Sequence, residues 1–102
     1  MDFRNQSFRL VQNDEGHASD STVMVFENSQ QPFRATYSGP NVTFGHVLVE
    51  DMKMIYHARN TDGSLSAGIA DVELDGSAMT LRWQWLTGQS NSGTSIWERI
   101  GS

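Results

Sequence analysis

The stretch Ala78-Met79-Thr80-Leu81-Arg82-Trp83-Gln84-Trp85-Leu86-Thr87-Gly88 is followed, after a short polar loop, by Gly93-Thr94-Ser95-Ile96-Trp97-Glu98-Arg99-Ile100. Trp83 and Trp85 stand two apart, so in a strand both rings point to one face. The Gly/Ser/Asn-rich segment from Gly88 to Gly93 joins two alternating runs, which reads as a β-hairpin. All three tryptophans of the chain lie in this hairpin. Each brings a large apolar ring and an N–H that wants a partner when buried. The hairpin is therefore either the core wall of a small β-barrel or the wall of a ligand pocket.

Outward from this hairpin the hydrophobic period stays close to two, and no window carries a 3.6-residue repeat. Seven further elements bring the expected total to about eight short strands, spaced as in all-β sandwiches and barrels. The expected strands run from Ser7 to Val11, Thr22 to Glu27, Phe33 to Tyr37, Val42 to Val49, Met52 to Arg59, Leu65 to Leu74, Met79 to Leu86 and Thr94 to Ile100. Ser38-Gly39-Pro40-Asn41, Asn60-Thr61-Asp62-Gly63 and Asp75-Gly76 are turn signals, because Gly and Asn or Asp accept the positive φ of tight turns. Most connections are short, which joins antiparallel neighbours and predicts an up-and-down meander. An eight-stranded antiparallel meander removes its edges by closing into a barrel. The runner-up is an open or partly closed sheet that pairs through its edge.

The 102 residues are read as one β-barrel domain spanning 1–102, with no internal repeat. The chain has no cysteine, so a disulfide framework, a thiolate metal site and a cysteine nucleophile are excluded. The net charge is -5 with only 7 basic residues, and these are scattered, which argues against a nucleic-acid partner. No apolar stretch is long enough for a membrane helix, so no membrane partner is expected. The N-terminal residues show no apolar leader, and a cytoplasmic location is the expectation.

Alternation also assigns faces. Leu81, Trp83 and Trp85 share one face, as do Met52, Met54, Tyr56 and Ala58; Thr22, Met24 and Phe26; and Phe33, Ala35 and Tyr37. These aromatic and methionine faces are expected to point inward. The strand around Val47 and Val49 is apolar on both faces, with Phe44 and Leu48 opposite, so one outer surface is expected to be covered, for instance by a second copy of the chain.

The run Ser21-Thr22-Val23-Met24-Val25-Phe26, the segment Ala35-Thr36-Tyr37-Ser38-Gly39, and Gly45-His46-Val47-Leu48 resemble a family of small bacterial β proteins. The resemblance continues through Met54-Ile55-Tyr56-His57, Asn60, Gly63, Gly68, Trp83-Gln84-Trp85 and Gly93-Thr94-Ser95-Ile96-Trp97-Glu98, covering roughly residues 20 to 100. It implies an avidin-like or lipocalin-like barrel, in a family often labelled N-acetylglutamate synthase. Two positions depart from the family pattern. Gly39-Pro40-Asn41 stands where a Gly-Gly corner is expected, and Leu81 where an acidic residue is expected. The residues themselves do not support acetyl transfer: no glycine-rich loop opens a helix that could seat a pyrophosphate. No cofactor is expected.

The candidate sites are few. His17 lies in a polar loop. His46 and His57 lie in neighbouring strands but are assigned to different faces and lack a third ligand, so no metal site is expected. Ser95, His57 and Glu98 lack the context of a nucleophile elbow. Asp71 and Glu73 share a face with Leu65, Ala67 and Ile69, and this acidic end is expected to emerge at the rim. The best candidate is the barrel interior, where Thr22, Met24, Phe26, Tyr37, Met54, Tyr56, Trp83 and Trp85 would converge. Such a set fits a small apolar or amphipathic ligand, and it equally fits an ordinary core. The leading expectation is a non-enzymatic small-molecule-binding barrel. The alternative is a packed barrel acting through its outer surface as a homodimer, and the third reading is an enzyme.

Overall fold

In a computed structural model the described residues are 6–13, 22–27, 30–40, 42–87 and 92–100. They form eight strands: β1 (Ser7–Asn13), β2 (Val23–Phe26), β3 (Phe33–Gly39), β4 (Val42–Glu50), β5 (Lys53–Asn60), β6 (Leu65–Asp75), β7 (Ala78–Trp85) and β8 (Ser92–Ile100). Each strand pairs antiparallel with its sequence neighbours, and β1 pairs with β8, so the sheet closes into a barrel in strict chain order. Closure leaves no edge strand to protect. No helix occurs among the described residues. The expected up-and-down barrel is the observed fold.

The strands form because their side chains alternate between a buried and an exposed face. In β5, Met54, Tyr56 and Ala58 are buried, while Lys53, Ile55, His57 and Arg59 are exposed. The same alternation puts Leu81 and Trp83 inside and Arg82 and Gln84 outside in β7. The expected inward faces of the second, third, fifth and seventh strands are the observed ones. Bulges in β1 between Leu10 and Gln12, in β3 between Tyr37 and Gly39, and in β4 between Val42 and Phe44 interrupt the ladders. A bulge adds local twist and bend, which a small barrel needs to close.

Element ends differ from expectation by one or two residues. Thr22 precedes β2, although its carbonyl accepts the Leu10 N–H at 2.9 Å. Met52 lies in the β4–β5 turn rather than in β5. Asp51 and Met52 both have positive φ, 52° and 63°, a conformation non-glycine residues seldom adopt. Glu50 and Lys53 pair directly across this two-residue turn, and paired positive φ values are what such hairpins require. The Gln31 side chain accepts the Asp51 N–H at 2.8 Å, and the Gln31–Pro32 peptide bond beside it is cis. The expected Asp62-Gly63 turn is present: Gly63 has φ 89°, and Asp62 accepts from the Ser64 N–H at 2.9 Å. His17 and Asn41, together with most of the connection between β7 and β8, lie outside the described residues.

The interior is layered. At the end where β2–β3, β4–β5 and β6–β7 connect, Phe26, Val47, Val49, Met54 and Met79 are fully buried. Phe8 meets Phe26 edge to face at 6.0 Å between ring centroids. This end is an apolar plug. The opposite end is built differently, and it holds the candidate site.

Candidate functional site

At the second end β3, β5 and β7 finish, and β4, β6 and β8 begin. Three aromatic residues there face glycines directly across the ladder: Tyr37 opposite Gly45, Tyr56 opposite Gly68, and Trp83 opposite Gly93. Each ring lies over its glycine. A methyl group on Gly45 would clash with the Tyr37 ring, and one on Gly93 would come within 2.6 Å of the Trp83 ring. On Gly68 it would come within 2.5 Å of both the Tyr56 hydroxyl and the Gln84 carbonyl oxygen. The missing side chains leave room for the three rings against the facing strands. This repeat in three alternate hairpins, β3–β4, β5–β6 and β7–β8, is invisible in the sequence without the register, where these glycines read only as strand or turn residues.

The polar atoms of this end divide into two groups. The Tyr56 hydroxyl donates to the Gln84 carbonyl at 3.3 Å; farther along β8, opposite Met79 of the plug, the Trp97 indole N–H donates to Ser95 Oγ at 2.9 Å. Trp85, half-buried at the mouth, meets Tyr56 edge to face at 4.9 Å. By contrast, the Tyr37 hydroxyl and the Trp83 indole nitrogen are buried without a hydrogen-bond partner. Such orphans are uncommon and costly, about 1–3 kcal/mol each. Tyr37 and Trp83 are 9% and 7% exposed, respectively. In an eight-stranded ring closed in chain order, β3 and β7 stand on opposite walls. Burial pushes the Tyr37 phenol above its ordinary pKa, so it stays a neutral donor at physiological pH.

Thr22, Met24, Phe26, Tyr37, Met54, Tyr56 and Trp83 are all buried inside the barrel, and Trp85 is half-buried at its mouth. They do not all share one level. Phe26 and Met54 belong to the apolar plug, whereas Thr22, Tyr37, Tyr56, Trp83 and Trp85 gather at the aromatic end. Face alternation missed Ser95, which is 4% exposed and buried beside Trp97.

The outer wall corrects two expectations. His46 and His57 do not lie on different faces. They are direct cross-strand partners, both exposed, with rings stacked at 5.0 Å between centroids and 25° between planes. Pairing of Glu50 with Lys53 at the turn fixes the register, and counting back from it brings His46 opposite His57. Asp71 and Glu73 do not emerge at a rim. Their face is the outer wall along the whole of β6, and they meet cations across the ladder: Lys53 donates to Asp71 Oδ1, and Arg82 stands 3.5 Å from Glu73. The Lys53 hydrogen bond and its charge hold the Asp71 carboxyl below its usual range. All four side chains are well exposed, so these pairs contribute little to stability. Ser95, His57 and Glu98 do not converge, since Ser95 is inside the barrel and His57 and Glu98 are on its exterior.

A single family comparison bears on this geometry. The sequence matches the family model described as Avidin-like protein over residues 1–100. The chain belongs to this avidin-like family. The closed eight-stranded barrel agrees with that membership, and an avidin-like barrel suggests small-molecule binding in general terms. No curated protein and no solved structure matches the chain.

A groove of about 310 Å3 lies on the outer wall of the avidin-like barrel, bordered by Lys53, Ile55, Ile69, Asp71, Arg82 and Gln84. Next to it, Phe44, Leu48, Ile55, Leu65 and Ile69 are all exposed apolar residues on β4, β5 and β6. Leu48, Ile55 and Ile69 are in one cross-strand row, and Glu50, Lys53, Asp71 and Arg82 form an alternating charged row beside them.

Proposed function

We propose that this avidin-like barrel binds a small, neutral, partly apolar molecule at its aromatic end. The observation that carries the reading is the pair of buried donors without partners, the Tyr37 hydroxyl and the Trp83 indole N–H, on opposite strands of the barrel's aromatic end. Ligand sites are largely apolar with a few placed polar groups, and this end has that composition. A ligand carrying hydrogen-bond acceptors would satisfy donors that otherwise cost stability. Its rings or alkyl parts would lie against Tyr56, Trp83 and Trp85. Among the described residues no charged side chain is buried, which favours a neutral ligand, since burying an unpaired charge is expensive.

Tyr37→Phe tests this directly. It keeps the ring over Gly45 and removes an orphan hydroxyl. Stability is expected to stay level or rise by about 1 kcal/mol, because a buried unpaired group is lost. Affinity for a ligand found by thermal-shift screening of neutral heterocycles is expected to fall about tenfold, the worth of one hydrogen bond. Urea unfolding and calorimetric titration give the two numbers. Parent-like affinity in Tyr37→Phe would remove the reading.

A second reading, a homodimer, is favoured by the outer wall of β4–β6. Its exposed apolar side chains, Phe44, Leu48, Ile55, Leu65 and Ile69, lie together on three adjacent strands, the kind of patch that marks an interaction surface. An apolar centre with a charged border is the expected anatomy. Ile55→Glu, at a site 60% exposed, is expected to weaken self-association at least a hundredfold, or about 2.7 kcal/mol. A chain that scatters light as a monomer over a wide concentration range would end this reading.

A further inference from the structure

We infer that Asp75 is a site of spontaneous backbone isomerisation in the folded chain, and that Asp62 is protected from it. The tripeptide Asp-Gly-Ser occurs twice, at Asp62-Gly63-Ser64 and at Asp75-Gly76-Ser77. Both copies are exposed at turns, and both glycines have positive φ with open space where a side chain would stand. Local sequence, exposure and steric access are therefore matched. Hydrogen bonding is what separates the two.

The reaction needs no co-reactant but water. The glycine nitrogen attacks Cγ of the preceding aspartate. An N–Cγ bond forms, a Cγ–O bond breaks, and the amide proton and the carboxyl hydroxyl leave together as one water. Water then adds to the former peptide carbonyl of the five-membered imide, and the bond from that carbonyl to nitrogen breaks. The backbone now runs through Cγ, and the aspartate keeps a free α-carboxylate. Glycine favours the attack because it carries no side chain beside the nitrogen. Two things are required: a nitrogen free to lose its proton, and a carboxyl group whose oxygen can leave as water, which the ionised form resists.

At the first copy both requirements are blocked. The Gly63 N–H donates to the Asn60 carbonyl at 3.0 Å. Asp62 Oδ1 accepts from the Ser64 N–H at 2.9 Å and from the Ser64 hydroxyl at 2.6 Å. These bonds favour the ionised carboxylate and hold Asp62 below its usual range. At the second copy, the Gly76 N–H and the Asp75 carboxylate have no hydrogen-bond partner among the described residues. The Arg99 guanidinium donates to the Gly76 carbonyl at 3.2 Å, and the Arg99 N–H to the Ser77 carbonyl at 2.8 Å. A cation thus stands close to the nitrogen that turns negative during attack. Attack also requires Asp75 and Ala78, the last pair of the β6–β7 ladder, to part. A terminal pair beside an exposed turn is among the least costly to open.

The test incubates the whole chain at mildly acidic pH, folded and unfolded in guanidinium chloride. A glutamate-specific protease then cuts after Glu73, between the two copies. Isoaspartate in each peptide is counted by methyl transfer with an isoaspartate-directed methyltransferase, and electron-transfer fragmentation assigns the residue. In the folded chain isoaspartate at Asp75 is expected to exceed that at Asp62 by at least about tenfold, because hydrogen bonds to the ionised carboxylate protect only Asp62. In the unfolded chain the two rates are expected to converge. Ser64→Ala removes the hydroxyl bond and is expected to raise the rate at Asp62, while Asp75→Glu is expected to remove the signal at position 75. No isoaspartate at Asp75 in the folded chain would overturn the inference. So would equal rates in the folded chain, a lead by Asp62, or a bias towards Asp75 that survives unfolding undiminished. An unchanged rate at Asp62 in Ser64→Ala would overturn its protection.

Discussion

Trp83→Ala is expected to lower the unfolding free energy by about 3–5 kcal/mol, the usual range for truncating a buried aromatic. The ring is 7% exposed and lies on Gly93, where no side chain can move in to fill the space it leaves. Its cross-strand neighbours on that wall are small, Ala70 on β6 and Gly93 on β8, so the site collapses poorly. Trp85→Ala is a useful contrast. That residue is half-buried at the mouth and meets Tyr56 only by its edge contact, so a loss of about 1–2 kcal/mol is expected from its smaller burial. Urea unfolding followed by circular dichroism measures both. A loss below about 1 kcal/mol at Trp83 would mean the ring is not a structural wall. Such a result would also undercut the proposed ligand chamber, which takes its shape from that ring.

The fold was legible because barrel strands that are wet outside and dry inside alternate cleanly, as Met54, Tyr56 and Ala58 do against Lys53, Ile55 and His57. Turns were legible where local chemistry dictates them, at Asp62-Gly63 and Asp75-Gly76. The Asp51-Met52 turn was not. Asp51 tolerates positive φ but Met52 gives no such signal, and the conformation is held by ladder pairing on both sides and by Gln31, twenty positions away. Which residues line the interior was legible from single strands. Which of them lie at the same level was not, because level depends on the register between strands. The same gap hid the His46–His57 pair: the face of each strand could be read, but the side shared by two strands needs the turn that sets their offset. The two orphan donors were hidden for a different reason. A tyrosine or tryptophan on an inward face predicts a buried ring, and only coordinates tell whether its polar atom has found a partner.

Gly68→Ala is expected to destabilise the barrel by about 3 kcal/mol, at the top of the usual range for overpacking. The added methyl would lie 2.5 Å from the Tyr56 ring and hydroxyl and 2.5 Å from the Gln84 carbonyl oxygen. A ring can swing aside, but the carbonyl belongs to the β7 backbone, so the ladder itself must shift. Gly93→Ala presses only on the Trp83 ring, at 2.6 Å, and a smaller loss is expected because a side chain yields more easily than backbone. The two mechanisms separate in a double-mutant cycle. Adding Tyr56→Ala to Gly68→Ala should recover little, because the carbonyl clash remains. Adding Trp83→Ala to Gly93→Ala should show strong coupling, with the pair costing well under the sum of the single losses. Equal losses at the two glycines, or full recovery of Gly68→Ala by Tyr56→Ala, would show that ring contacts alone set the tolerance of the wall. The aromatic end would then be a soft lining able to rearrange around a ligand. A stiff β7 backbone at Gln84 implies the opposite: the proposed chamber would have its shape before anything binds, with the Tyr56 hydroxyl already committed to the wall and the Tyr37 and Trp83 donors left for the proposed ligand.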